Sequence, residues 1–443
     1  MHAGLSIGKI VNILLNDWQH CFKAREPRFL ALQQQLSRHL PETTFMAVPD
    51  PPAVYESTRQ WIVEQGFVPA AYIDRKAKED VLLDLGISFV QRFIGYKRHS
   101  ELKPTTPNDV PQMWADAVLD ISDEGFGDRS GAPKTVWLRQ LPFALRRNPL
   151  VFLPQAWGPF EKSGVRKYSL RLLNMADLIC ARDNVSLEYL KNLSTDLEPK
   201  LALAPDIAIL LEGLDPKEGV RILREAGLET PAGPVVGLMP ETRIHERARV
   251  PGDENAYLKK MEAVGGLFLE AGCSIAIMPG QIADRAQWNR TSPPAGVESE
   301  QTGRTDDRVL CSALAESLGR KGSVVALAGE YDAGQTKAVI ANLDMLVGSG
   351  YNNIIAALSL GVPPLVLESS FEYDELLRMF NQQGLAVDLE KMETSAVLSA
   401  VEKTWQQRER ISKEILQVLP DIQKSASSVV ERTAEILLGS VSK

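Results

Sequence analysis

The feature that most constrains this chain is a regular alternation between short apolar runs and longer stretches with helical spacing. Residues 10–15 and 43–48 have the length and apolar character of buried strands, and residues 26–40 between them carry apolar side chains on one helical face. Further strands are expected at residues 117–121, 150–154 and 178–180, and further helices at 166–175 and 185–192. This spacing predicts a parallel sheet with helices on both faces.

The same alternation restarts after a polar break at residues 213–233, which contain one helical stretch and then a connector rich in Gly and Pro. A helix is expected at 256–270, closed by Gly272. The expected strands are 235–239, 274–278, 324–327, 345–347 and 364–367; residues 281–308 predict a polar surface loop and 407–438 a charged helix. We therefore predict an α/β protein with two Rossmann-like, doubly wound parallel-sheet domains that face a cleft.

The expected boundaries follow these breaks. Residues 1–212 form the first domain, 213–233 the linker and 234–420 the second domain, and 421–443 form a C-terminal helix that is a candidate to pack back on the first domain. Open parallel sheets bind ligands beyond the carboxyl ends of their strands. Functional residues are therefore expected directly after strands.

Composition excludes several classes of function. The 443 residues carry a formal net charge of −8 without a basic run, which argues against a nucleic-acid partner. The 4 cysteines are far apart in the sequence and predict neither a disulfide nor a zinc framework. No apolar run reaches the roughly 18 residues of a membrane span, and the first residues lack the apolar segment of a secretion signal. We expect a cytoplasmic protein without a metal or a cofactor.

Five segments join an apolar run to glycine, proline or charged residues, as a ligand-binding strand end does. These segments are residues 120–128, 153–160, 181–183, 204–206 and 240–243. Each alone reads equally well as an ordinary turn, but all five in one α/β chain favour a ligand site. Gly127 and Gly158 would let the backbone approach a ligand closely, and Trp157 is either a sugar-stacking surface or part of the core. The chain has neither GxGxxG after its first strand nor GxxxxGK[ST], so nucleotide binding is not indicated.

Six stretches in order along the chain resemble the polysaccharide pyruvyl transferase family. They include VVGLMPETRI at 235–244 and VGSGYNNIIAALSLGVPPLVLESSFEYDELLRMF at 347–380; the others are residues 116–128, 154–160, 176–193 and 203–211. The resemblance implies a GT-B-like pair of domains, the first on the acceptor side and the second on the donor side. It also implies transfer of the carboxyethylidene group of phosphoenolpyruvate onto two hydroxyls of a sugar or glycolipid-linked acceptor, without a cofactor. A homo-oligomer is left open.

The sequence departs from the family pattern where the family carries cations. The family's Arg-aromatic-His triplet corresponds to Gly350, Tyr351 and Asn352, and its His-Lys-Tyr stretch corresponds to residues 371–373, with Glu372 in place of Lys. Losing two charged hydrogen bonds, each worth roughly 1.5–3 kcal/mol, weakens phosphate binding on the order of a hundredfold. Residues 16–20 also replace the phosphate-cradling stretch that the family has after its first strand.

Arg243 is the retained cation of the donor side, although Glu241 stands where the family has Asn. An Arg fork suits a phosphate or a carboxylate, so Arg243 is expected to hold the donor anion. The further substrate-binding candidates are Arg182, Ser349, Gly350, Tyr351, Asn352, Glu372, Gly127 and Gln155. The catalytic candidates are His245 as acid or base and Asp206 as an orienting group. Three of these candidates also have an alternative without a catalytic or binding role. His245 would then be an exposed loop histidine, Asp206 a hinge residue, and Arg182 the partner of Asp183 in an ion pair that caps the next helix.

Three functions remain open from the sequence. The first is pyruvyl transfer from phosphoenolpyruvate to a sugar in cell-surface polysaccharide synthesis, as the resemblance implies. The second is a GT-B-like transferase with another donor such as a nucleotide sugar, whose hydroxyls Glu241 or Glu372 would bind. The third is a catalytically inactive paralogue that binds a sugar or a partner, because a fold does not fix a function.

Overall fold

The computed structural model describes residues 12–16, 26–41, 43–47, 68–69, 115–128, 148–229, 233–248, 255–282 and 306–441. These residues form two compact units. One comprises residues 1–207 together with 424–443, and the other comprises residues 208–423. Within the described part of the chain, no helix is both long and apolar enough to cross a membrane.

The first unit is built on a parallel sheet. Its strands are β1 (Asn12–Asn16), β2 (Thr44–Ala47), β3 (Val68–Pro69), β4 (Ala117–Asp120), β5 (Glu124–Phe126), β6 (Leu150–Trp157), β7 (Leu178–Ala181) and β8 (Leu201–Leu203), and its helices are α1 (Glu26–His39), α2 (Ser163–Leu173) and α3 (Asn184–Leu193). The spatial order is β3-β2-β1-β4-β6-β7-β8, and β5 pairs with β6. The order reverses between β1 and β4, as in doubly wound sheets.

Strand β6 is longer than the apolar run that predicts it. The strand continues through Gln155 to Trp157, because its far end pairs with β5 and Ala156 donates its N–H to the Asp123 carbonyl at 2.9 Å. Trp157 is 3% exposed, donates from Nε1 to the Cys180 carbonyl at 2.8 Å and meets Phe152 edge-on. Trp157 is therefore part of the core, which is the second of the two roles predicted for it.

The second unit has a five-stranded parallel sheet. Its strands are β9 (Val235–Met239), β10 (Ser274–Ile277), β11 (Val324–Ala326), β12 (Met345–Gly348) and β13 (Pro364–Val366). Its helices are α4 (Pro216–Glu225), α5 (Thr242–Arg247), α6 (Ala256–Glu270), α7 (Arg308–Leu318), α8 (Ala333–Ile340), α9 (Tyr351–Ser359), α10 (Phe371–Met379) and the long α11 (Thr394–Val441), whose last residues belong to the first unit. The strand order is β11-β10-β9-β12-β13, so the order reverses between β9 and β12.

Local chemistry explains where these helices lie. Helix α8 begins with a capping box in which Asp332 accepts from the Gln335 backbone and the Gln335 side chain accepts from Asp332. Helix α4 packs against α8 at Gly219, where a Cβ would lie 2.1 Å from the Ala338 carbonyl oxygen. Residues 216–225, expected to be one helix beside a connector, thus pack within the second unit.

Candidate functional site

Three adjacent strands of the second sheet deliver side chains to one edge. Strands β9, β12 and β13 are neighbours, and all run parallel, so their carboxyl ends lie together. Glu241 and Arg243 follow β9, Gly350 follows β12, and Glu368 follows β13. This is the point where the strand order reverses, which is where open α/β sheets place ligands.

Arg243 is fixed by carboxylates at this edge. Its Nε donates to Glu241 Oε1 at 2.9 Å, and its Nη2 donates to both oxygens of Glu368 at 3.1 and 2.9 Å. Its side chain is nevertheless 50% exposed, whereas those of Glu241 and Glu368 are 5% and 10% exposed. The buried acids therefore hold the guanidinium while half of the Arg243 side chain remains exposed.

Arg247, one helical turn after Arg243, shares the same carboxylate. Its Nη2 donates to Glu368 Oε1 at 3.0 Å and to Glu390 Oε1 at 2.6 Å, and its Nε donates to Glu390 Oε1 at 3.1 Å. Residues four apart on a helix lie on one face. Glu368 therefore bridges two arginines on the same side of α5.

Gly350 contributes its backbone to the edge. Its N–H donates to the Tyr373 hydroxyl at 2.8 Å, and its φ of 108° is one that residues with a side chain rarely adopt. A Cβ there would also lie 3.1 Å from Met239 Cε. The backbone at the position of the family's Arg is thus shaped for glycine, so restoring Arg at residue 350 would require a different backbone.

Tyr373 closes the edge from α10. Its ring is buried, and burial together with the Glu241 carboxylate raises the pKa of its hydroxyl. The hydroxyl therefore keeps its proton and can donate it in a hydrogen bond. The rings of Tyr351 and Tyr373 lie 5.9 Å apart. Tyr373 corresponds to the Tyr of the family's His-Lys-Tyr stretch and joins the site beside the predicted Tyr351, although it is not among the predicted binding residues.

Glu241, like Glu368, is a buried acid at this edge. Its backbone N–H donates to the Tyr257 hydroxyl at 2.9 Å, which fixes the turn after β9. Among the described residues its Oε2 has no hydrogen-bond partner, and neither does Oγ of Ser349, which is 2% exposed. Burial raises the pKa of the Glu241 carboxyl, against the lowering effect of Arg243. The buried Glu241 carboxyl therefore costs folding free energy, and it lies at the point where the strand order reverses.

Replacing Glu241 by Gln should change how stability depends on pH. Because the folded pKa of Glu241 lies above its unfolded value, this carboxyl stabilises the fold most below the unfolded pKa, and that contribution is lost as pH rises through the folded pKa. Gln does not titrate, so we expect the stability of Glu241→Gln relative to the natural protein to increase from pH 4 to pH 8. Urea unfolding between pH 4 and pH 8 measures this difference in stability. Glu393→Gln is the control, because it removes a carboxyl at an exposed position. A difference that does not change with pH would contradict the assignment.

The structure places His245 on a different side of α5 from the two arginines. In the sequence it lies two residues from each of them, and two residues correspond to about half a helical turn. Its ring is 9% exposed and lies 5.9 Å from the Tyr257 ring. His245 is therefore not an exposed loop histidine, and its role as acid or base remains a prediction.

Asn352 and Glu372 lie in the first turns of α9 and α10, and both are half-buried. The structure thus brings the donor-side candidates to two neighbouring helix starts, next to Ser349 and Gly350. Their binding roles remain predictions. His20, which stands in the stretch that replaces the family's phosphate cradle, lies outside the described residues.

The first unit has its own charged cluster, at the carboxyl ends of β4 and β8. Arg28 donates from Nε to both oxygens of Asp206 at 3.0 and 2.8 Å. Its Nη1 donates to the carbonyls of Ser122 at 3.0 Å and Ile121 at 3.3 Å, and its Nη2 to Asp123 at 2.9 Å and to Asp206. Arg28 and Asp206 are each 2% exposed. Every nitrogen of Arg28 is therefore committed within the protein.

Arg182 joins this cluster rather than pairing with its neighbour. Its Nη1 donates to Asp123 and lies 3.9 Å from Asp206, whereas Asp183 caps α3 by accepting from the Ser186 N–H at 2.7 Å. Of the two predictions for this pair, the ion pair is absent because Arg182 pairs with Asp123, whereas Asp183 does cap the next helix as that alternative expected. Asp206 and Arg182 therefore lie together, as two strand-end residues should.

Gln155 and Gly127 occupy the same edge of the first sheet. Gln155 is fully buried and donates to Asp120 at 3.3 Å, and its Oε1 has no hydrogen-bond partner among the described residues. A Cβ on Gly127 would lie 2.4 Å from the Gly158 carbonyl oxygen. The close approach at Gly127 is therefore to this chain's own backbone, and a ligand role there remains a prediction.

Two residues that the sequence reading missed carried usable signals. Arg28 lies four residues before Leu32 and eight before Leu36, so a cation stands within the apolar stripe of α1. Glu368 directly follows a predicted strand, which is the same pattern that marked Glu241. The described residues contain no group of His, Cys, Asp and Glu side chains placed to hold a metal ion.

Solved structures with similar folds support the architecture. UDP-N-acetylglucosamine 2-epimerase from Neisseria meningitidis, bound to UDP-GlcNAc, is 11% identical over 98% of this chain and 100% of its own, with a TM-score of 0.59. A glycosyltransferase from Rickettsia africae is 10% identical over 97% and 99%, with a TM-score of 0.55. Anabaena HepE in complex with UDP and glucose is 10% identical over 97% and 100%, with a TM-score of 0.53. The predicted GT-B-like α/β class with two parallel sheets is confirmed.

Sequence comparison identifies the family. No curated protein gives a significant match. The model of the polysaccharide pyruvyl transferase family matches residues 29–370, which include both charged clusters apart from Arg28 and Glu390. Because that match spans most of the chain, this protein belongs to the polysaccharide pyruvyl transferase family.

Proposed function

We propose that this protein transfers a pyruvyl group from phosphoenolpyruvate to two hydroxyls of a sugar acceptor in cell-surface polysaccharide synthesis. Membership of the family supports the reaction class. The observation that carries the proposal is the state of Arg243, the retained donor-side cation. Its Nε and Nη2 are committed to carboxylates, its Nη1 has no partner among the described residues, and half of its side chain is exposed.

Arg243 suits the anionic end of phosphoenolpyruvate. A guanidinium that is already fixed loses little side-chain entropy when an anion binds, and Arg pairs well with phosphate and carboxylate. The reaction then needs a proton on the methylene carbon of the donor, attack of two hydroxyl oxygens on the adjacent carbon and departure of inorganic phosphate. One hydroxyl proton replaces the proton donated to carbon, and the other leaves with phosphate.

Glu241 is the better-placed proton source in this proposal. Its carboxyl contacts Arg243 directly, and burial raises its pKa, so it stays protonated to higher pH than an exposed glutamate. His245 lies toward the opposite side of α5, against Tyr257. Glu241 thereby supplies an acid at an edge where Asn352 stands in place of the family's histidine.

A nucleotide-sugar donor is the second candidate, and the acidic character of the same edge favours it. Three carboxylates, those of Glu241, Glu368 and Glu390, surround the two arginines. Carboxylates accept hydrogen bonds from sugar and ribose hydroxyls, and they repel a small dianion. In this alternative Glu241 and Glu368 bind hydroxyls, and Arg243 binds a diphosphate.

Isothermal titration separates the two donors. We expect phosphoenolpyruvate to bind the natural protein more tightly than inorganic phosphate, and Arg243→Ala to weaken that binding by about a hundredfold, because it removes a charged, pre-positioned donor. Arg221→Ala is the matched control, since Arg221 is an arginine of the same unit paired with Glu218 and Glu225 on α4. Tight binding of a UDP-sugar without binding of phosphoenolpyruvate would contradict the proposal and favour the second candidate.

A turnover assay then tests catalysis itself. Phosphate release with phosphoenolpyruvate and a panel of diol-bearing sugars and glycolipids, together with mass detection of the pyruvate ketal, is the expected result. Binding of phosphoenolpyruvate without release of phosphate across the panel would instead indicate the inactive, ligand-binding paralogue.

A further inference from the structure

We infer that Arg243 and Arg247 form a two-arginine site for a phosphate-bearing anion, and that Glu390 occupies the fork of Arg247 as a displaceable internal carboxylate. The inference deepens the proposed function, on which it rests, by assigning a second donor cation and a residue that competes with the donor. Neither Arg247 nor Glu390 stands at a position where a cation of the family has been replaced.

The two arginines are built as a pair. They lie one turn apart on α5, and Glu368 accepts hydrogen bonds from Nη2 of both, at 2.9 to 3.1 Å. The Glu368 side chain is 10% exposed, while those of Arg243 and Arg247 are 50% and 44% exposed. A buried carboxylate thus holds two exposed guanidinium groups side by side, which is a fixed arrangement of donors on which an anion with several oxygens can bind.

Glu390 occupies the part of Arg247 that best matches a phosphate. Nε and Nη2 of Arg247 both donate to the same oxygen, Glu390 Oε1, at 3.1 and 2.6 Å. This edge of a guanidinium can bind phosphate or carboxylate through two parallel hydrogen bonds. Glu390 is therefore positioned as an internal substitute for the anion.

The Glu390 contact is the replaceable one. Both partners are partly exposed, and ion pairs between exposed side chains contribute little to stability. The backbone around Glu390 is independently fixed, since Lys260 Nζ donates to the carbonyls of Leu389 and Met392 at 2.7 Å each. Only the Glu390 side chain has to turn away for an anion to reach Arg247, and the loop keeps its place.

The charges predict opposite effects for two substitutions. Removing Arg247 deletes a donor, so it weakens anion binding. Replacing Glu390 by Gln removes one of the three carboxylates and the competitor for the fork, so it strengthens anion binding. A purely structural Arg247–Glu390 ion pair predicts something different, because loss of either partner then breaks the same contact and acts in the same direction.

Titration calorimetry on the full-length variants tests the inference. The probes are phosphoenolpyruvate, inorganic phosphate and UDP at one fixed ionic strength, because exposed charges are screened by salt. We expect Arg247→Ala to weaken binding of the anion about tenfold or more and Glu390→Gln to tighten it several-fold. Glu393→Gln, which removes an exposed negative charge three residues away, is expected to leave binding nearly unchanged, and circular dichroism confirms folding.

The outcomes for the site and for the donor are distinguishable. If phosphate, UDP and phosphoenolpyruvate all show opposite effects of the two variants but phosphoenolpyruvate has no advantage, the anion site stands and the proposed donor fails. If phosphoenolpyruvate binds and turns over while Glu390→Gln leaves binding unchanged or weaker, the inference is overturned and the proposed function stands. Absence of binding by every anion, to the natural protein and to Glu390→Gln alike, also overturns the inference.

Discussion

Alanine in place of Arg28 is expected to lower the free energy of unfolding by about 3–5 kcal/mol, because it leaves the buried Asp206 carboxylate without its cation. Arg28 donates to both oxygens of Asp206, and both side chains are almost completely buried. It also donates to the Ser122 carbonyl and to Asp123. The substitution therefore leaves the buried Asp206 carboxylate without its ion-pair partner and the Ser122 carbonyl without its hydrogen-bond donor.

Chemical denaturation of the purified variant measures this loss. Arg38→Ala is the matched control, since Arg38 is an exposed arginine on the same helix that donates to Gln35. It should change the free energy of unfolding by less than about 0.5 kcal/mol. An Arg28→Ala variant as stable as Arg38→Ala would show that Asp206 finds another cation, and Arg182, at 3.9 Å, is the nearest candidate.

A double variant separates the ion pair from the rest of the cluster. Arg28→Met combined with Asp206→Val removes both charges and keeps the summed side-chain volume approximately unchanged. Replacing a buried pair by apolar groups is far less costly than breaking it. We expect the double variant to be more stable than the sum of the two single losses predicts, which measures the coupling directly. Strict additivity would mean that Arg28 acts through its carbonyl contacts rather than through Asp206.

Elements set by local pattern were predictable from the sequence. The predicted bounds of β9 and α6 match the structure residue for residue, because a buried parallel strand is continuously apolar and a helix ends where Gly272 follows. β6 was predicted three residues short because its extension depends on pairing with β5, which is a property of the assembled sheet. Helix α5 could not be predicted because Ile244 is the one apolar residue among its six, so the segment has no apolar periodicity.

The candidate site was only partly predictable for a related reason. Glu241 and Arg243 could be found because they follow an apolar strand by two and four residues. The partnership of Arg243 with Glu368 spans 125 residues and exists because β9, β12 and β13 lie side by side. Strand order is a consequence of tertiary packing, and no local spacing encodes it. The pairing of Arg28 with Asp206, across 178 residues, depends on the same kind of information.

Alanine at Gly348 should have the other large effect, a loss of about 2–5 kcal/mol in the free energy of unfolding from backbone strain and overpacking together. Gly348 ends β12 with a φ of 150°, and a Cβ there would lie 2.4 Å from the Met239 carbonyl oxygen and 2.5 Å from Met239 Cβ. These atoms belong to the neighbouring strand and cannot rotate away. The strand ends would have to separate, and Glu241 and Arg243 follow Met239 by two and four residues.

Comparison among three glycines tests whether the nature of the contact sets the cost. At Gly350 the closest atom is Met239 Cε, the mobile end of a side chain, at 3.1 Å, so alanine there should cost less than at Gly348. At Gly384 nothing lies within 4 Å, and alanine should be nearly neutral. Denaturant midpoints should therefore fall in the order Gly384→Ala, Gly350→Ala, Gly348→Ala. If Gly348→Ala unfolds like Gly384→Ala, then β9 and β12 can separate at little cost, and the edge that holds Arg243 is not fixed by close backbone packing.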